Sequence, residues 1–121
     1  MNAIVQPAAK PTGMPNPLGI HGFEFVEYAA PDAAVLHALF RSMGFTAVAR
    51  HRSKAITLYR QGGVNFLVNE EPGSFAADFA AQHGPCACGF AIRVRDGEEV
   101  CAEVVARGAE LFAHKPETRA V

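Results

Sequence analysis

The sequence predicts an α+β fold built from paired βαβββ modules, of which the second is truncated. The first observation is an internal repeat: three positions correspond at an offset of 64 residues, namely Phe25 with Gly89, Asp32 with Asp96 and Gly44 with Gly108. The second is that each copy reads as a strand, an acidic helix start, a short amphipathic helix and a glycine stop. Such a repeat indicates two modules that build one sheet together. The same offset places the counterpart of the last strand of module one at about residue 130, so we expect the second module to be incomplete.

Composition indicates one globular domain and excludes several classes of function. The chain has 121 residues, half of them hydrophobic, and a formal net charge of −1. This balance argues against disorder and gives no basic surface for nucleic acid. No apolar run reaches about 18 residues, so we expect no membrane span. Without a secretory signal pattern we expect a cytoplasmic protein, in which the three cysteines, Cys86, Cys88 and Cys101, are reduced thiols.

The chain divides into four predicted segments: a flexible proline-rich tail over 1–17, module one over 20–69, a connector helix over 74–83 and the incomplete module two over 87–121. The last three belong to one domain, 18–121. The tail is assigned from four prolines and few large apolar side chains, a composition that does not support a packed core.

Within module one, aromatic and β-branched residues predict a first strand over 21–28. A helix opens at Pro31 and Asp32, because proline fits a first helical turn and the helix dipole favours a carboxylate there. Its predicted apolar stripe is Leu36, Leu39, Phe40 and Met43. Three strands then follow at 45–51, 54–60 and 64–69. We expect Ile56 and Leu58 to share one face of the sheet.

In the connector, Ser74 is a predicted helix cap, and Gly84-Pro85 ends the helix. Module two begins with a strand over 87–95. Asp96 and Glu99 then have the spacing of a capping box. The predicted inner stripe of the following helix is Val100, Cys101, Val104 and Val105, and a further strand is expected from Glu110. Because module two is incomplete, we expect Phe90, Ile92 and Val94 to be less covered than their counterparts in module one.

Short ordered blocks resemble the N-terminal domain of the bacterial 4-hydroxyphenylpyruvate dioxygenase family, within the vicinal oxygen chelate superfamily. They cover most of residues 16–112 and read 22–28 (GFEFVEY), 30–32 (APD), 39–40 (LF), 43–46 (MGFT), 51–54 (HRSK), 58–62 (LYRQG), 65–66 (NF), 74–76 (SFA), 83–85 (HGP) and 90–94 (FAIRV). Hydroxymandelate synthase is a close relative, and these blocks do not separate the two.

The resemblance implies a non-haem iron(II) enzyme that converts 4-hydroxyphenylpyruvate, a 2-oxo acid, and dioxygen to homogentisate and carbon dioxide in tyrosine catabolism. In this family the two histidines and one glutamate that hold the iron belong to the C-terminal domain. The resemblance therefore implies iron ligands beyond Val121 and no catalytic, cofactor-binding or metal-binding residue in this chain. It also implies that the domain packs against the catalytic domain of the same chain and takes part in a homo-oligomer.

Two other readings stay open. A stand-alone dimeric module of the superfamily would use a partner chain to cover unfinished sheet edges. A small isomerase of the glyoxalase or epimerase type would need metal ligands on the first strand and after the fourth, where the candidates are His21, Glu24 and Glu70. On a strand of period two, residues three apart point to opposite faces, which argues against a metal shared by His21 and Glu24.

The remaining polar residues have structural explanations. Four histidines are scattered along the chain and predicted to be structural or solvated: His37, His51, His83 and His114. Glu98 and Glu99 serve a helix start. A basic run comprises Arg50, Arg52, Lys54 and Arg60. It is interpreted as a solvated face or an interdomain contact, with a surface for an anionic substrate as the alternative. Cys86-x-Cys88 lacks the spacing of a zinc site.

Overall fold

The computed structural model describes residues 15–112, which form a five-stranded sheet with three helices. The strands are β1 (Ile20–Ala29), β2 (Thr46–Arg50), β3 (Ile56–Gln61), β4 (Val64–Asn69) and β5 (Cys86–Val94). The helices are α1 (Ala34–Ser42), α2 (Phe75–His83) and α3 (Gly97–Ala106). His114 and residues 1–14 of the predicted tail lie outside the described residues. None of the helices within 15–112 is long and apolar enough to cross a bilayer.

β1 occupies the middle of the fold. The strand order is β2-β3-β4-β1-β5, with β1 parallel to β4 and antiparallel to β5. β2, β3 and β4 form an antiparallel meander. Parallel pairing of β1 with β4 requires a crossover, and α1 together with β2 and β3 provides it. This arrangement is the predicted βαβββ module, joined through β1 to the first strand of a second one.

The 64-residue repeat appears in the pairing of β1 with β5. Val26 pairs with Phe90, which is 64 residues further along the chain. On either side the pairing is crossed, because Phe25 pairs with Ala91 and Glu27 pairs with Gly89. Under the repeat, Gly89 corresponds to Phe25, and Ala91 corresponds to Glu27. A local two-fold axis therefore passes through the Val26–Phe90 pair and relates β1 to β5.

The main core lies between α1 and the sheet. Its fully or nearly fully buried residues are Ala33, Leu36, Phe40, Phe45, Tyr59 and Val68. Phe40 is 2% exposed, and its ring lies 5.0 Å from that of Phe66 and 5.7 Å from that of Tyr59. Half of the predicted helix stripe is wrong, because Leu39 and Met43 are 49% and 50% exposed. A helix this short touches the sheet along a narrow line that Leu36 and Phe40 occupy.

The buried face of β3 is the one opposite to that favoured by its aliphatic residues. Ile56 and Leu58 do alternate onto one face, but both are only half-buried. Thr57 and Tyr59 are buried, because Tyr59 pairs with Phe66 and Thr57 pairs with Val68 on the side of the sheet that α1 covers.

α2 covers the other side of the sheet and forms a smaller core. Ala29 at the end of β1 packs with Ala76 and Ala80 of the helix, and all three are buried. Small side chains let the helix approach the sheet closely. The predicted cap is confirmed, because the Ser74 hydroxyl accepts a hydrogen bond from the Ala77 amide at 3.1 Å. Gly84 ends the helix with a φ of 78°, a conformation open to glycine.

α3 is the least integrated helix. Its predicted start is confirmed, since the Asp96 carboxylate accepts a hydrogen bond from the Glu99 amide at 3.1 Å. The helix buries none of its residues. The predicted inner stripe is only half correct: Val100 and Val104 are half-buried, whereas Cys101 and Val105 are exposed.

The predicted lower coverage of β5 residues relative to their counterparts in module one holds for Phe90 and Ile92 but not for Val94. Phe90 and Ile92 are 63% and 39% exposed, whereas Val26 and Tyr28 are half-buried. Val94 is half-buried, like its counterpart Ala30. No strand forms over 110–112, so the strand expected from Glu110 is wrong within the described residues.

Phe40→Ala is expected to destabilise the protein by about 3–5 kcal/mol, because it leaves a cavity among the aromatic rings of the main core. Urea denaturation followed by circular dichroism measures the change as a lower midpoint at constant slope. Leu39→Ala on the same helix is the matched control, with an expected loss below about 1 kcal/mol. Equal losses for the two variants would show that α1 does not pack as described.

The two side-chain caps are expected to differ in their effect on global stability. Ser74→Ala removes the cap of a helix with buried residues and should lower the free energy of unfolding by about 1 kcal/mol. Asp96→Ala should instead speed amide hydrogen exchange within α3, with little change in the urea midpoint, because that helix can open alone. A midpoint shift for Asp96→Ala as large as that for Ser74→Ala would contradict this difference.

Candidate functional site

An open groove lies between α1 and the β2–β3 hairpin. It has a volume of about 690 Å³. It is lined by Ala34, His37, Ala38, Arg41, Ala47, Val48, Ala49, Arg50, Thr57 and Tyr59. Five of these side chains are alanine or valine, and two are arginine. The groove thus combines short apolar side chains with an equal number of polar, charged or hydroxyl-bearing ones, both of which occur in pockets for small molecules.

One face of α1 forms a wall of the groove. Ala34, His37, Ala38 and Arg41 follow the spacing i, i+3, i+4 and i+7, which places them on one side of a helix. Leu36 and Phe40 lie on the neighbouring side and are buried. Packing of that apolar line on the sheet therefore sets the direction in which His37 and Arg41 project.

Tyr59, His37 and Glu70 form a hydrogen-bonded chain beside the groove. The Nδ1 atom of His37 lies 2.6 Å from the Tyr59 hydroxyl oxygen, and Nε2 lies 2.7 Å from Oε2 of Glu70. A carboxylate accepts hydrogen bonds, so Nε2 carries the proton directed at Glu70. In a neutral imidazole Nδ1 is then the acceptor, and the Tyr59 hydroxyl donates to it.

The Tyr59–His37–Glu70 hydrogen-bonded chain holds its side chains in position and does not offer a reactive hydroxyl. Tyr59 is 0% exposed, so it closes the floor of the groove and its hydroxyl is already paired with His37. Backbone contacts fix the other end, because the Glu70 amide donates to the Ala55 carbonyl at 2.7 Å. The His37 ring is therefore held from both sides. The predicted structural role of His37 agrees with these contacts.

Two guanidinium groups enter the groove from opposite walls. Arg50 pairs across the hairpin with Thr57, which places both side chains on the α1 side of the sheet. Nη1 of Arg50 donates to the Thr57 hydroxyl at 3.2 Å. Arg41 stands over the Tyr59 ring, with Cζ at 5.9 Å from the ring centroid, a cation–π geometry. Among residues 15–112 neither arginine forms a salt bridge.

Within the predicted basic run, only Arg50 lines the groove. Nε of Arg60 donates to Asn65 at 2.7 Å, while Arg52 and Lys54 are exposed in the turn between β2 and β3. Arg41 is the cation that the sequence argument missed. The signal was present as the second helical stripe, in which two alanines, a histidine and an arginine recur at helical spacing.

The three candidate metal ligands do not converge. Glu24 pairs with Arg93 at 2.6 Å, and Glu70 pairs with His37 at 2.7 Å. His21 is exposed. No group of three His, Cys, Asp or Glu side chains suited to a metal ion is found over 15–112. This geometry does not favour the isomerase reading, which requires ligands on the first strand and after the fourth.

A second polar cluster lies on the face of the sheet opposite to α1. The Glu27 carboxylate accepts a hydrogen bond from Nδ2 of Asn69 at 2.7 Å. The Cys88 thiol donates to the Glu27 carbonyl at 3.6 Å. Glu27 and Asn69 were missed because their contact joins two strands far apart in sequence. With one carboxylate, one amide and one protonated thiol, this cluster offers no strong metal site.

The remaining sequence candidates have local roles. Nδ1 of His51 accepts hydrogen bonds from the backbone amides of Ser53 and Lys54, at 3.1 and 3.0 Å. The His83 ring packs on Phe79 in the last turn of α2, with centroids 4.3 Å apart. The acidic residues Glu98 and Glu99 lie in the first turn of α3. Cys86, Cys88 and Cys101 are free thiols.

Comparison with known proteins identifies the family. The family model described as hydroxyphenylpyruvate dioxygenase, HPPD, N-terminal matches residues 14–121. The chain belongs to this family. Two relatives of the HPPD N-terminal domain are 4-hydroxyphenylpyruvate dioxygenase from Pseudomonas sp. (strain P.J. 874), 50% identical over 95 residues, and Hemolysin VllY from Vibrio vulnificus (strain CMCP6), 52% identical over 100 residues. These alignments cover 78% and 80% of this chain, and 27% and 28% of those proteins.

A solved structure with the same fold is a xylose isomerase-like TIM barrel/4-hydroxyphenylpyruvate dioxygenase fusion protein. It superposes with a TM-score of 0.71 at 34% identity, over 88% of this chain and 18% of the fusion protein. The same fold thus occurs within a much longer chain. The predicted vicinal oxygen chelate architecture is confirmed.

The described residues do not fit an iron site of the kind that the resemblance implies. Such a site needs two histidines and a carboxylate with open coordination positions. His37 and Glu70 are the one histidine–carboxylate pair in contact over 15–112, and their third partner is a buried tyrosine hydroxyl. We therefore assign no step of an iron-dependent reaction to these residues.

Cys88 is expected to react slowly with iodoacetamide. Burial, with smaller contributions from Glu27 and Cys86, raises the pKa of the Cys88 thiol from 9.0 to about 11. Near pH 8 its thiolate fraction is then about a hundredfold below that of an ordinary cysteine. Mass spectrometry of partly alkylated protein should show the exposed Cys101 modified first, with the difference abolished in urea.

The same shift gives a direction for stability. Because the pKa of folded Cys88 lies above its unfolded value of 9.0, its contribution to the free energy of unfolding is complete below pH 9. That contribution is lost as the pH rises from about 9 to about 11.

For the alkylation experiment, equal rates for Cys88 and Cys101 in the folded protein would contradict the assigned environment of Cys88.

Proposed function

We propose that this chain is the N-terminal, non-catalytic part of a longer iron(II) 4-hydroxyphenylpyruvate dioxygenase. The whole enzyme converts 4-hydroxyphenylpyruvate and dioxygen to homogentisate and carbon dioxide. Its iron ligands lie in sequence that follows Val121, and the chain by itself does not carry out the reaction. The C-terminal catalytic domain of the same chain is its principal partner.

Two observations together support this proposal. The chain matches the HPPD N-terminal family, and its described residues hold no group of three potential metal ligands. The HPPD N-terminal family model covers 14–121, yet over 15–112 no three potential ligands meet. The Pseudomonas relative, of which this alignment covers 27%, has the length for further modules. A domain that retains the fold and has the candidate ligands Glu24 and Glu70 engaged in ion pairs is suited to support a catalytic half.

In this proposal residues 18–121 act as one domain through the continuous sheet. Module one, 20–69, supplies four strands, and the segment from 87 onward supplies the fifth. The connector helix, 74–83, packs on the seam between them through Ala29 and Cys88. The apolar surface around β1 and β5 is the candidate contact with the catalytic half, because Phe23 and Phe90 are 61% and 63% exposed.

The same apolar surface supports a second candidate, a module that assembles as a homo-oligomer. The Phe23 and Phe90 rings contact each other edge to face, with centroids 5.4 Å apart, and β5 is the edge strand of the described sheet. An apolar patch beside a free strand edge favours pairing between chains. Sedimentation of the 121-residue chain separates the candidates: association that Phe90→Ser abolishes would support the module.

A domain replacement tests the principal proposal. The matched 95-residue segment of the Pseudomonas sp. (strain P.J. 874) enzyme is replaced by its counterpart from this chain. We expect the chimera to take up oxygen with iron(II) and 4-hydroxyphenylpyruvate at a rate within about tenfold of the parent enzyme, since half of the segment is unchanged. The 121-residue chain alone should show no iron-dependent uptake.

The control is a chimera carrying Phe40→Ala, which should lose activity in proportion to its unfolded fraction. Two results would overturn the proposal. One is a folded chimera, verified by circular dichroism, that is inactive. The other is iron-dependent oxygen uptake by the 121-residue chain alone, which would mean that its own residues build a metal site.

A further inference from the structure

We propose that the groove between α1 and the β2–β3 hairpin binds a small organic oxyanion with an apolar body. Arg41 and Arg50 supply the charge, and the alanine side chains of both walls contact the apolar part. This site lies on the α1 side of the sheet and is separate from the proposed dioxygenase reaction.

The first argument is the unneutralised charge of the groove. Two guanidinium groups line it, and no carboxylate does. Glu70, the acidic member of the adjoining Tyr59–His37–Glu70 chain, is engaged by His37 at 2.7 Å. The other two ion pairs over 15–112 join Arg93 to Glu24 and Arg107 to Glu103, away from the groove. An anion would therefore meet two cations without displacing an existing partner.

The second argument is the number of donors that remain. A guanidinium has five N–H donors arranged as a fork that matches a carboxylate or phosphate. Arg50 uses one donor in its bond to the Thr57 hydroxyl at 3.2 Å. Arg41 stands over the ring of Tyr59 and forms no salt bridge among residues 15–112. Both guanidinium groups therefore have N–H donors left for the oxygen atoms of a ligand.

The third argument is that the groove is held in shape. Its floor is Tyr59, which is fully buried and hydrogen-bonded to His37. Its walls carry Ala34 and Ala38 on the α1 side and Ala47, which pairs with Tyr59, on the hairpin side. Short side chains leave room for a ligand of several carbon atoms, and a volume of about 690 Å³ falls within the range of small-molecule pockets.

Three probes separate the two features of the ligand, its negative charge and its apolar body. Benzoate has both, inorganic phosphate has only the charge, and benzyl alcohol has only the apolar body. Each is titrated into the uniformly ¹⁵N-labelled 121-residue chain at constant ionic strength, and amide chemical shifts are followed. Benzoate should give saturable shifts confined to α1, β2 and β3. Phosphate should bind more weakly, because it lacks the apolar body. Benzyl alcohol should not bind, because it lacks the charge.

Charge variants locate the site. Arg41→Gln and Arg50→Gln should each weaken benzoate binding by about tenfold or more, which is typical for loss of a charge-assisted hydrogen bond. Arg60→Gln is the matched control, since Arg60 lies on β3 and bonds to Asn65 outside the groove. It removes the same charge and should leave the affinity unchanged.

Ala38→Leu tests the groove without changing charge. Ala38 is exposed on α1, and leucine is a good helix former, so the variant should fold while its side chain fills the space for the apolar body. Benzoate affinity should fall while phosphate affinity is retained. Equal affinity for phosphate and benzoate would overturn the apolar part of the proposal. Shifts spread over the surface, or an equal loss in Arg60→Gln, would overturn the site itself.

Discussion

The double pairing of β1 is the constraint on which the rest of the structure depends. This strand makes parallel hydrogen bonds to β4 on one edge and antiparallel hydrogen bonds to β5 on the other. Because successive side chains point to opposite faces, Tyr28 packs toward α1 and Ala29 packs toward α2. A change that displaced β1 would disturb both cores and the connection between the modules. The groove depends on it indirectly, since its α1 wall is seated on the same sheet.

Local signals in the sequence predicted the elements well, and their burial less well. Ser74, Asp96 and Gly84 act within a turn of their own position, and the structure confirms the caps and the stop that they indicate. Burial depends on which face another element covers. Leu39 is exposed because α1 contacts the sheet along the line of Leu36 and Phe40. Tyr59 is fully buried and Leu58 only half-buried, because Tyr59 lies on the face of β3 that α1 covers.

The candidate site was harder to predict because its residues come from separate elements. His37 and Glu70 are 33 residues apart in sequence and 2.7 Å apart in space, and no local spacing joins them. The basic run predicted one surface for four residues, yet Arg50 alone of the four lines the groove, because its pairing with Thr57 places it on the α1 side of the sheet. The one usable local pattern was the second stripe of α1. The apolar stripe of the same helix is a weaker guide, because two of its four members, Leu39 and Met43, are exposed.

The axis through Val26 and Phe90 has a consequence for how the two halves can diverge. In a dimer of identical modules, a residue on a two-fold axis meets a copy of itself, so a bulky side chain would have to face another of the same size. Joining the modules in one chain removes this restriction. Here a small residue faces a large one, and Phe90 has room to contact Phe23 as well. Because the two modules are linked in one chain, each can carry a different residue at the position on the axis, where a symmetric dimer would have to carry the same one.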